Sequence, residues 1–345
     1  MPRPFIRPGL HRLRRLMGQT PEDVVVKAVD RWEVAPASIV AIRPAKLLPG
    51  QLDRIRGTEF GSVEEVLRDF RGGFDSLQQP TTAFRLKQVL LVDGVLYAGN
   101  AARHLKPRSG RLPLGLASRE VICAAMHESW VGNRWFGNWL MDDCLTYRLA
   151  EQAGAPIATT PATGHQSAYE RRLGIRPIRR TSAFFDELVL FDDRPHNAGK
   201  RDRATDMRRR LIGGEPDHHP GIFLLRGSTG ARRILRNERA IAEHLAVRRG
   251  FRVLDPSTAD LEDIVRACAG ADVVAGVEGS HLVHGLMMMH PAARALVIQP
   301  PTRTVSVLKL LTDRQGQDYS LVVGVGNDEG FDASIGEVER TLDLA

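Results

Sequence analysis

Cysteine is scarce in this sequence, and its spacing excludes two kinds of small scaffold. The three cysteines, Cys123, Cys144 and Cys268, are odd in number and far apart, and no two of them have CxxC spacing. A disulfide framework needs cysteines in pairs and a zinc knuckle needs the CxxC spacing, so the sequence indicates neither. This usage is typical of a protein in a reducing cytoplasm.

Long apolar runs are also absent. No window approaches the roughly 18 apolar residues of a membrane-spanning helix. The first twenty residues are basic and partly apolar but lack an uninterrupted apolar core, which argues against a cleaved signal peptide. We therefore expect a cytoplasmic protein. Its basic tail could contact the inner face of an anionic membrane through Arg12, Arg14 and Arg15, or could be a frayed terminus.

Several catalytic motifs are missing as well. The sequence has no Gly-x-x-x-x-Gly-Lys-Ser/Thr loop, which argues against a Walker-type ATPase, and no Asp-x-Asp that would hold a divalent metal on a sugar diphosphate. The zinc motif begun by His127 and Glu128 lacks its second histidine, and Ser280 lacks the flanking glycines of a hydrolase nucleophile. We expect neither a metal nor a cofactor, so protein cations would balance the charge of a phosphorylated ligand.

Charged residues are abundant, and arginine is the commonest of the basic ones. The 345 residues carry a formal net charge of +7. Arginine suits bidentate recognition of phosphate or carboxylate groups, although a coding bias would also enrich it. The basic residues are dispersed among 41 acidic ones, and no aromatic-rich strand or recognition helix accompanies them, so we expect no nucleic-acid partner. Salt-dependent affinity for DNA or RNA would favour that alternative.

The length and the pattern of the chain predict two domains. Residues 1–20 form the basic tail, residues 21–215 an N-terminal domain and residues 216–345 a C-terminal domain. The linker is predicted at "GGEPDHHPG", which is dense in Gly, Pro and His. No feature of the sequence specifies an oligomeric state.

The order of predicted elements favours an α/β fold. Residues 22–100 read as short strands of an antiparallel edge, with a hairpin turn at Asp93-Gly94. From about residue 120 strands and helices alternate. After the predicted linker the strands are almost wholly apolar and are separated by helices of ten or so residues, which is typical of parallel βαβ units in a Rossmann-like domain.

One candidate site follows the first strand of the C-terminal domain. Arg226 stands at the tip of this strand, Arg232 and Arg233 lie in the loop, and Asn237 is predicted to cap the next helix. Open parallel sheets bind ligands beyond the carboxyl ends of their strands, so these arginines could clamp a diphosphate. The alternative is a solvated basic loop with an ordinary cap.

A second loop is predicted at the same edge of the sheet. A strand ends at Val277, Gly279 permits a tight turn, and the backbone amides near Ser280 and His281 would point outward from the start of a short helix. Such amides bind phosphate with help from the helix dipole. The two loops are therefore expected to face one site.

A third candidate lies in residues 134–152, which have helical periodicity. At 100° per residue Trp139 and Asp143 fall on the apolar arc, whereas Asn138 and Asp142 share another face beside Trp135. A carboxylate beside aromatic rings can have a raised pKa and act as a general base. Either aspartate could equally be an exposed or hydrogen-bonded helix residue.

Three stretches together resemble glycosyltransferase family 61, which includes bacterial capsular-polysaccharide proteins. They are "LLRGSTGARRILRNE" and "GFRVLDPSTADLEDIVRACAGADVVAGVEGSHLVHGL", within about residues 220–300, and "RWFGNWLMDD". Two positions depart from the family pattern. Asn138 stands where histidine is usual, and Glu278 replaces the usual histidine before Gly279.

The resemblance implies a GT-B-like architecture of two Rossmann-like domains facing a cleft, the N-terminal one with an additional β-rich edge. It implies inverting, metal-independent transfer of a sugar from a nucleotide diphosphate sugar, bound by the C-terminal half, to a glycan acceptor hydroxyl. A noncatalytic nucleotide-sugar or polyanion-binding module on the same fold is the alternative.

The site residues follow from this resemblance and from the patterns above. The expected donor-diphosphate residues are Arg226, Arg232, Arg233, Asn237, Gly279, Ser280 and His281. The expected catalytic residues are Asp142 and Asp143, with Asp142 preferred as the general base, and Glu278. Glu278 or His281 could contact the sugar or ribose. The expected acceptor-side residues are Trp135, Asn138 and Trp139.

Overall fold

A computed structural model describes residues 3–4, 6–18, 20–107, 116–117, 119–227 and 233–344. The strands in chain order are β1 (Arg3–Pro4), β2 (Asp30–Ala35), β3 (Ser38–Ile42), β4 (Phe74–Gln78), β5 (Thr81–Val92), β6 (Val95–Ala98), β7 (Ala101–His104), β8 (Leu116–Ala117), β9 (Arg119–Met126), β10 (Ala155–Ala158), β11 (Ile178–Arg179), β12 (Ser182–Asp192), β13 (Ile222–Leu224), β14 (Arg252–Leu254), β15 (Val273–Val277), β16 (Arg294–Gln299), β17 (Asp318–Val323), β18 (Val325–Asn327) and β19 (Gly330–Asp332).

The helices in chain order are α1 (Ile6–Leu16), α2 (Val63–Arg71), α3 (Trp130–Arg134), α4 (Phe136–Asn138), α5 (Cys144–Ala153), α6 (His165–Leu173), α7 (Ala198–Ile212), α8 (Glu238–Arg249), α9 (Leu261–Cys268), α10 (Leu282–Leu286), α11 (Val307–Gln315) and α12 (Ile335–Leu342). Short 3₁₀ turns lie at Val24–Lys27 and Leu52–Arg54, and a π-helical turn lies at Trp139–Asp143. In the described part of the chain, no helix is both long enough and apolar enough to cross a membrane.

The chain forms two compact units, and each is discontinuous in sequence. Unit 1 comprises Met1–Ala37 and Gln79–Pro195, and unit 2 comprises Ser38–Gln78 and His196–Ala345. This division differs from the predicted boundary between residues 215 and 216. The predicted linker lies inside unit 2, where the ring nitrogens of His219 bond to the carbonyl oxygens of Gly221 and Ala267.

Unit 2 contains the predicted parallel sheet. Its five strands lie in the order β14-β13-β15-β16-β17, and all are parallel. Numbered along the chain this order is 2-1-3-4-5, which is a doubly wound arrangement. All residues of β13 and β15 are buried, as expected for strands covered on both faces. The prediction of a Rossmann-like C-terminal sheet is confirmed.

The segment 38–78 belongs to unit 2 because its polar side chains are bound there. Lys46 forms an ion pair with Asp318 at 2.7 Å, and the hydroxyl of Ser306 donates to Asp69 at 2.6 Å. These partners lie more than 200 positions further along the chain, so local sequence patterns could not reveal them.

Unit 1 is built on a mixed sheet in the order β11-β10-β9-β12-β5-β6-β7, with β2 also paired to β5. The first four strands are parallel, and their order along the chain is 3-2-1-4, as in a Rossmann half. Strands β5, β6 and β7 are antiparallel. The predicted antiparallel edge is therefore present, and the hairpin turn predicted at Asp93-Gly94 is confirmed.

The predicted helix over residues 134–152 is interrupted in the structure. Trp135 has an extended backbone with φ −128° and ψ 127°, which separates α3 from α4. The π-helical turn at Trp139–Asp143 then leads into α5. A π turn shifts the faces of the residues before it relative to those after it, so the single 100° projection does not hold across the whole segment.

The two glycines after α2 provide a test of backbone geometry. Gly72 has φ +53°, and a Cβ there would lie 2.2 Å from the carbonyl oxygen of Arg43, whereas Gly73 has φ +77° with open space around it. We expect Gly73→Ala to cost about 1 kcal/mol, from its left-handed backbone alone. Gly72→Ala adds a collision with the main chain and should cost roughly 3 kcal/mol or more.

Denaturant unfolding of both variants measures this difference. Equal losses for the two substitutions would contradict the close approach of Gly72 to Arg43.

Candidate functional site

The best-supported candidate site lies at the carboxyl edge of the unit 2 sheet. Strands β13 and β15 are neighbours although β14 comes between them in sequence, so the strand order reverses there. Ligands of open α/β sheets bind at this reversal, beyond the carboxyl ends of the strands. Arg226 follows β13 by two positions and Glu278 follows β15 directly.

Arg226 is held in place from two directions. The backbone amides of Arg226 and Gly227 donate to the two carboxylate oxygens of Glu238 at 2.8 and 2.9 Å. The Arg226 guanidinium, 8% exposed, donates to the backbone carbonyl oxygen of Glu278 at 3.2 Å. A Cβ at Gly279 would lie 1.9 Å from Arg226 Nη1, so a side chain there would displace the guanidinium from this position. The two predicted loops meet at this point.

Arg233 and Glu278 form a nearly buried ion pair in the same place. Their side chains are 9% and 7% exposed, and Arg233 Nη1 contacts both the Glu278 carboxylate and, at 3.4 Å, its backbone carbonyl oxygen. Burial raises the pKa of Glu278 above its ordinary value, and the neighbouring guanidinium groups of Arg233, Arg226 and Arg303 oppose that rise. The Glu278 carboxylate therefore lies close to three guanidinium groups.

Arg303 is a member of this cluster that the sequence did not reveal. It follows β16, the strand next to β15, and forms an ion pair with Glu59 at 2.6 Å. Its charge acts on both Glu278 and Arg226. In the sequence, the only indication of its role was that an arginine lies beyond the end of a predicted parallel strand. The partner that positions it, Glu59, lies more than 240 positions earlier in the chain and could not be identified from local pattern.

His281 is uncharged at neutral pH and is close to the arginines. Burial, followed by the charge of Arg226, lowers the pKa of His281 to about 3. Its Nε2 and the Nε atoms of Arg233 and Arg303 are buried and have no hydrogen-bond partner among the residues that the structure describes. Buried polar atoms are normally satisfied. Three unsatisfied donors or acceptors near one carboxylate are consistent with a site that receives a polar ligand.

The predicted cap at Asn237 is wrong. Its side chain makes no hydrogen bond to the start of α8. The amide instead donates to the carbonyl oxygen of Ala333 at 2.7 Å and accepts from the Ala333 backbone at 3.2 Å. This pairing occupies both ends of the amide, so Asn237 secures a neighbouring loop. Ser280 lies half-buried in the turn after Gly279, and Arg232 lies outside the described residues.

In unit 1, Asn138 and Asp142 form the predicted pair. The Asn138 amide donates to the Asp142 carboxylate at 3.1 Å, and Asp142 is half-buried. Trp135 is also half-buried, with the guanidinium of Arg134 4.5 Å from its ring centre. These side chains have the accessibility that a substrate-binding surface requires.

Asp143 occupies a different environment from Asp142. Its side chain is in the core, 2% exposed, and accepts hydrogen bonds from the Ser129 amide at 3.1 Å and the Ser129 hydroxyl at 2.7 Å. Burial raises the pKa of Asp143 well above its ordinary value, although the Ser129 hydrogen bonds oppose this. Trp139 is buried too, 5.8 Å from Phe136 between ring centres. Both residues are placed to stabilise the fold.

The strand order of unit 1 reverses between β9 and β12, and Asp142 is linked to that position. The Thr146 hydroxyl contacts the Asp142 carbonyl oxygen at 3.2 Å and the Asp193 carboxylate, just after β12, at 2.9 Å. His127 directly follows β9, and burial lowers its pKa to about 4. Sequence reasoning used His127 only to exclude a zinc motif. Its position directly after a parallel strand was the sequence signal that could have placed it at this strand-order reversal.

Comparison with known proteins supports one family. A family model described as Glycosyltransferase 61 matches residues 120–296, which are 177 of the 345 residues. The matched range includes Asn138, Asp142, Arg226 and Glu278, and it ends before Arg303. A comparison with curated proteins finds no match.

The burial of Asp143 predicts a specific dependence of stability on pH. The pKa of Asp143 is raised in the folded protein. Above about pH 4 the folded protein therefore keeps a proton that the unfolded chain has lost, so the free energy of unfolding should fall as pH rises above this value. Asp143→Asn cannot ionise and should flatten this slope.

Urea unfolding of the two proteins between about pH 4 and 7 measures the effect. Asp263→Asn, which removes an exposed carboxylate of α9, is the control and should follow the wild type. Parallel curves for the wild type and Asp143→Asn would contradict the assignment.

Proposed function

The chain belongs to the glycosyltransferase 61 family, and from this premise we propose that it moves a sugar from a nucleotide diphosphate sugar to a hydroxyl group of a glycan acceptor. Family membership implies glycosyltransferase activity, a sugar donor and an acceptor. The observation that carries the finer proposal is the cluster of Arg226, Arg233 and Arg303 close to the Glu278 carboxylate, at the strand-order reversal of the unit 2 sheet.

The donor diphosphate would bind to this cluster. Guanidinium groups bind phosphate oxygens bidentately, and such charge-assisted hydrogen bonds are about twice as strong as neutral ones. We propose that Arg226 and Arg233, helped by Arg303 and by the backbone amides of the Gly279 turn, hold the diphosphate. As the bond to the sugar breaks, negative charge grows on the leaving nucleotide, and preorganised cations can lower the barrier by several kcal/mol.

Glu278 and His281 would act beside the diphosphate. Glu278 keeps the Arg233 guanidinium oriented and is proposed to accept a hydrogen bond from a hydroxyl of the sugar or ribose. His281 is neutral, so one ring nitrogen can donate and the other accept. We propose that it also contacts a donor hydroxyl.

The general base is proposed to be Asp142. Its carboxylate would take the proton of the acceptor hydroxyl while the acceptor oxygen attacks the anomeric carbon and the nucleotide diphosphate departs from the opposite face, which inverts the configuration. The Asn138 amide, 3.1 Å away, would orient the carboxylate. Trp135 would provide an apolar surface for the acceptor sugar.

Further parts of the proposal come from the family resemblance alone. These are a GT-B architecture with the donor bound by unit 2 and the acceptor by unit 1, transfer without a metal or cofactor, a hexosyl or pentosyl donor, and a role in capsular or surface polysaccharide synthesis in the cytoplasm. Turnover that survives EDTA would support metal independence.

Donor binding can be tested at Arg303, because its substitution removes the ion pair with Glu59 but does not replace either member of the Arg233–Glu278 pair. We expect Arg303→Gln to weaken binding of the preferred nucleotide diphosphate by roughly tenfold or more, because a hydrogen bond to a charged group contributes about 1.5–3 kcal/mol. Calorimetric titration with UDP and GDP, and with CMP as a monophosphate for comparison, identifies the nucleotide and measures the loss.

Arg266→Ala is the matched control, since this arginine of α9 is 74% exposed and pairs with Asp263. If Arg266→Ala and Arg303→Gln weaken binding equally, the effect reflects net charge, and the assignment of Arg303 fails.

The proposed base is tested by Asp142→Asn. The amide keeps the size of the side chain but cannot accept the acceptor proton, so kcat should fall by about 10²- to 10⁴-fold while donor affinity is unchanged. Transfer assays with a panel of nucleotide sugars provide the measurement.

Asp143→Asn is the comparison, because its buried side chain should affect stability more than chemistry. Full turnover by Asp142→Asn with loss in Asp143→Asn would reverse the assignment. Nucleotide binding by the wild type with no turnover on any donor would indicate a noncatalytic binding module.

A further inference from the structure

Helix α1 has one face packed on unit 1 and one face open to solvent. His11 is buried, and its ring centre lies 4.9 Å from that of Tyr97. The opposite side exposes four large apolar side chains, Leu10 at 53%, Leu13 at 55%, Leu16 at 79% and, just beyond the helix, Met17 at 61%. Among the residues that the structure describes, none of the unit 1 core covers the apolar side chains of this face.

The four exposed side chains form one continuous strip. At 100° per residue Leu10, Leu13, Leu16 and Met17 fall within about 120° of arc, on the side away from His11. Isolated exposed leucines are ordinary in proteins, whereas a contiguous apolar strip is evidence of an interaction surface.

The charged residues of α1 itself are all arginines. The first 21 residues contain five arginines and neither aspartate nor glutamate. One of them, Arg14, is exposed and borders the strip beside Leu10 and Leu13. A partner that covers this surface should therefore combine an apolar layer with negative charge.

We propose that α1 is an interfacial anchor that lies flat on an anionic lipid bilayer. The leucines would enter the boundary between head groups and acyl chains, and the arginines would contact lipid phosphates and anionic head groups. With 11 residues, α1 is too short to span the roughly 30 Å of a bilayer core but long enough to lie in the interface. This surface is separate from the residues assigned to sugar transfer, so the two proposals can fail independently.

The combination of exposed leucines and arginines favours a bilayer over two other kinds of partner. A nucleic acid would bind the arginines but would gain little from the leucines, and its binding would be lost as salt increases. A second copy of the chain would cover the leucines but would bring another set of arginines into the contact. An anionic bilayer satisfies both the charge and the apolar surface.

The test is flotation of the full chain with vesicles of phosphatidylcholine alone or with about 30% phosphatidylglycerol, a content at which anionic lipid attracts basic segments. We expect binding to the anionic vesicles only. The double variant Leu10→Gln/Leu13→Gln should reduce the partition coefficient on the order of tenfold or more, because two apolar side chains no longer enter the bilayer. Arg14→Glu should weaken binding at low salt.

The matched control is Leu77→Gln/Val247→Gln, which replaces two exposed apolar residues of β4 and α8 and should leave vesicle binding unchanged. Thermal unfolding of each variant checks that it folds. Equal binding to both vesicle types, or anionic binding that the α1 double variant leaves intact, would overturn the proposal. Concentration-dependent dimerisation that needs Leu10 and Leu13, without vesicle binding, would also overturn it and indicate a second copy.

Discussion

The candidate site depends on cationic side chains that the fold holds out of water. Arg226 and Arg233 are each less than one tenth exposed, and removing a guanidinium group from water costs several kcal/mol unless a counter-charge compensates. Glu278 pairs with Arg233, and the charges of Glu278 and Glu238 both act on Arg226, while Arg303 pairs with Glu59. Burial and the neighbouring Arg233 lower the pKa of Arg226, which shows the direction of this unfavourable field. A bound anion would relieve it.

The positions of these cations are set by contacts that come from distant parts of the chain. Glu238, at the start of α8, binds the backbone after β13, and Glu59 binds the arginine that follows β16. The Glu59 segment itself is tied to unit 2 by the ion pair of Lys46 with Asp318. Segment 38–78 therefore belongs to the machinery of the candidate site, because without it Arg303 would lose its orienting partner.

The sequence predicted those features of the fold and the site that depend on local pattern. The run of apolar strands predicted the parallel sheet. The positions of the strand ends predicted that Arg226 and the Gly279 turn lie close together. Arg303 was not predicted, and the predicted boundary between residues 215 and 216 differs from the division into units, since both depend on pairing with segment 38–78. The cap at Asn237 failed because Ala333, nearly 100 positions away, takes its amide. The helix around Asp142 was predicted as regular because no residue pattern identifies a π turn.

The two departures from the family pattern have a consistent physical effect. At position 138 the amide of asparagine can orient the Asp142 carboxylate, but unlike histidine it cannot exchange a proton, so the acceptor proton would remain on the carboxylate. At position 278, glutamate replaces the histidine that is usual in the family, whose imidazole ring could be neutral or cationic. The glutamate carboxylate gives Arg233 a negatively charged partner. A histidine there would leave the arginines with one less negative charge and a higher cost of burial. In this chain the proposed proton transfer therefore depends on one aspartate in unit 1, and Glu278 contributes negative charge to the candidate site of unit 2.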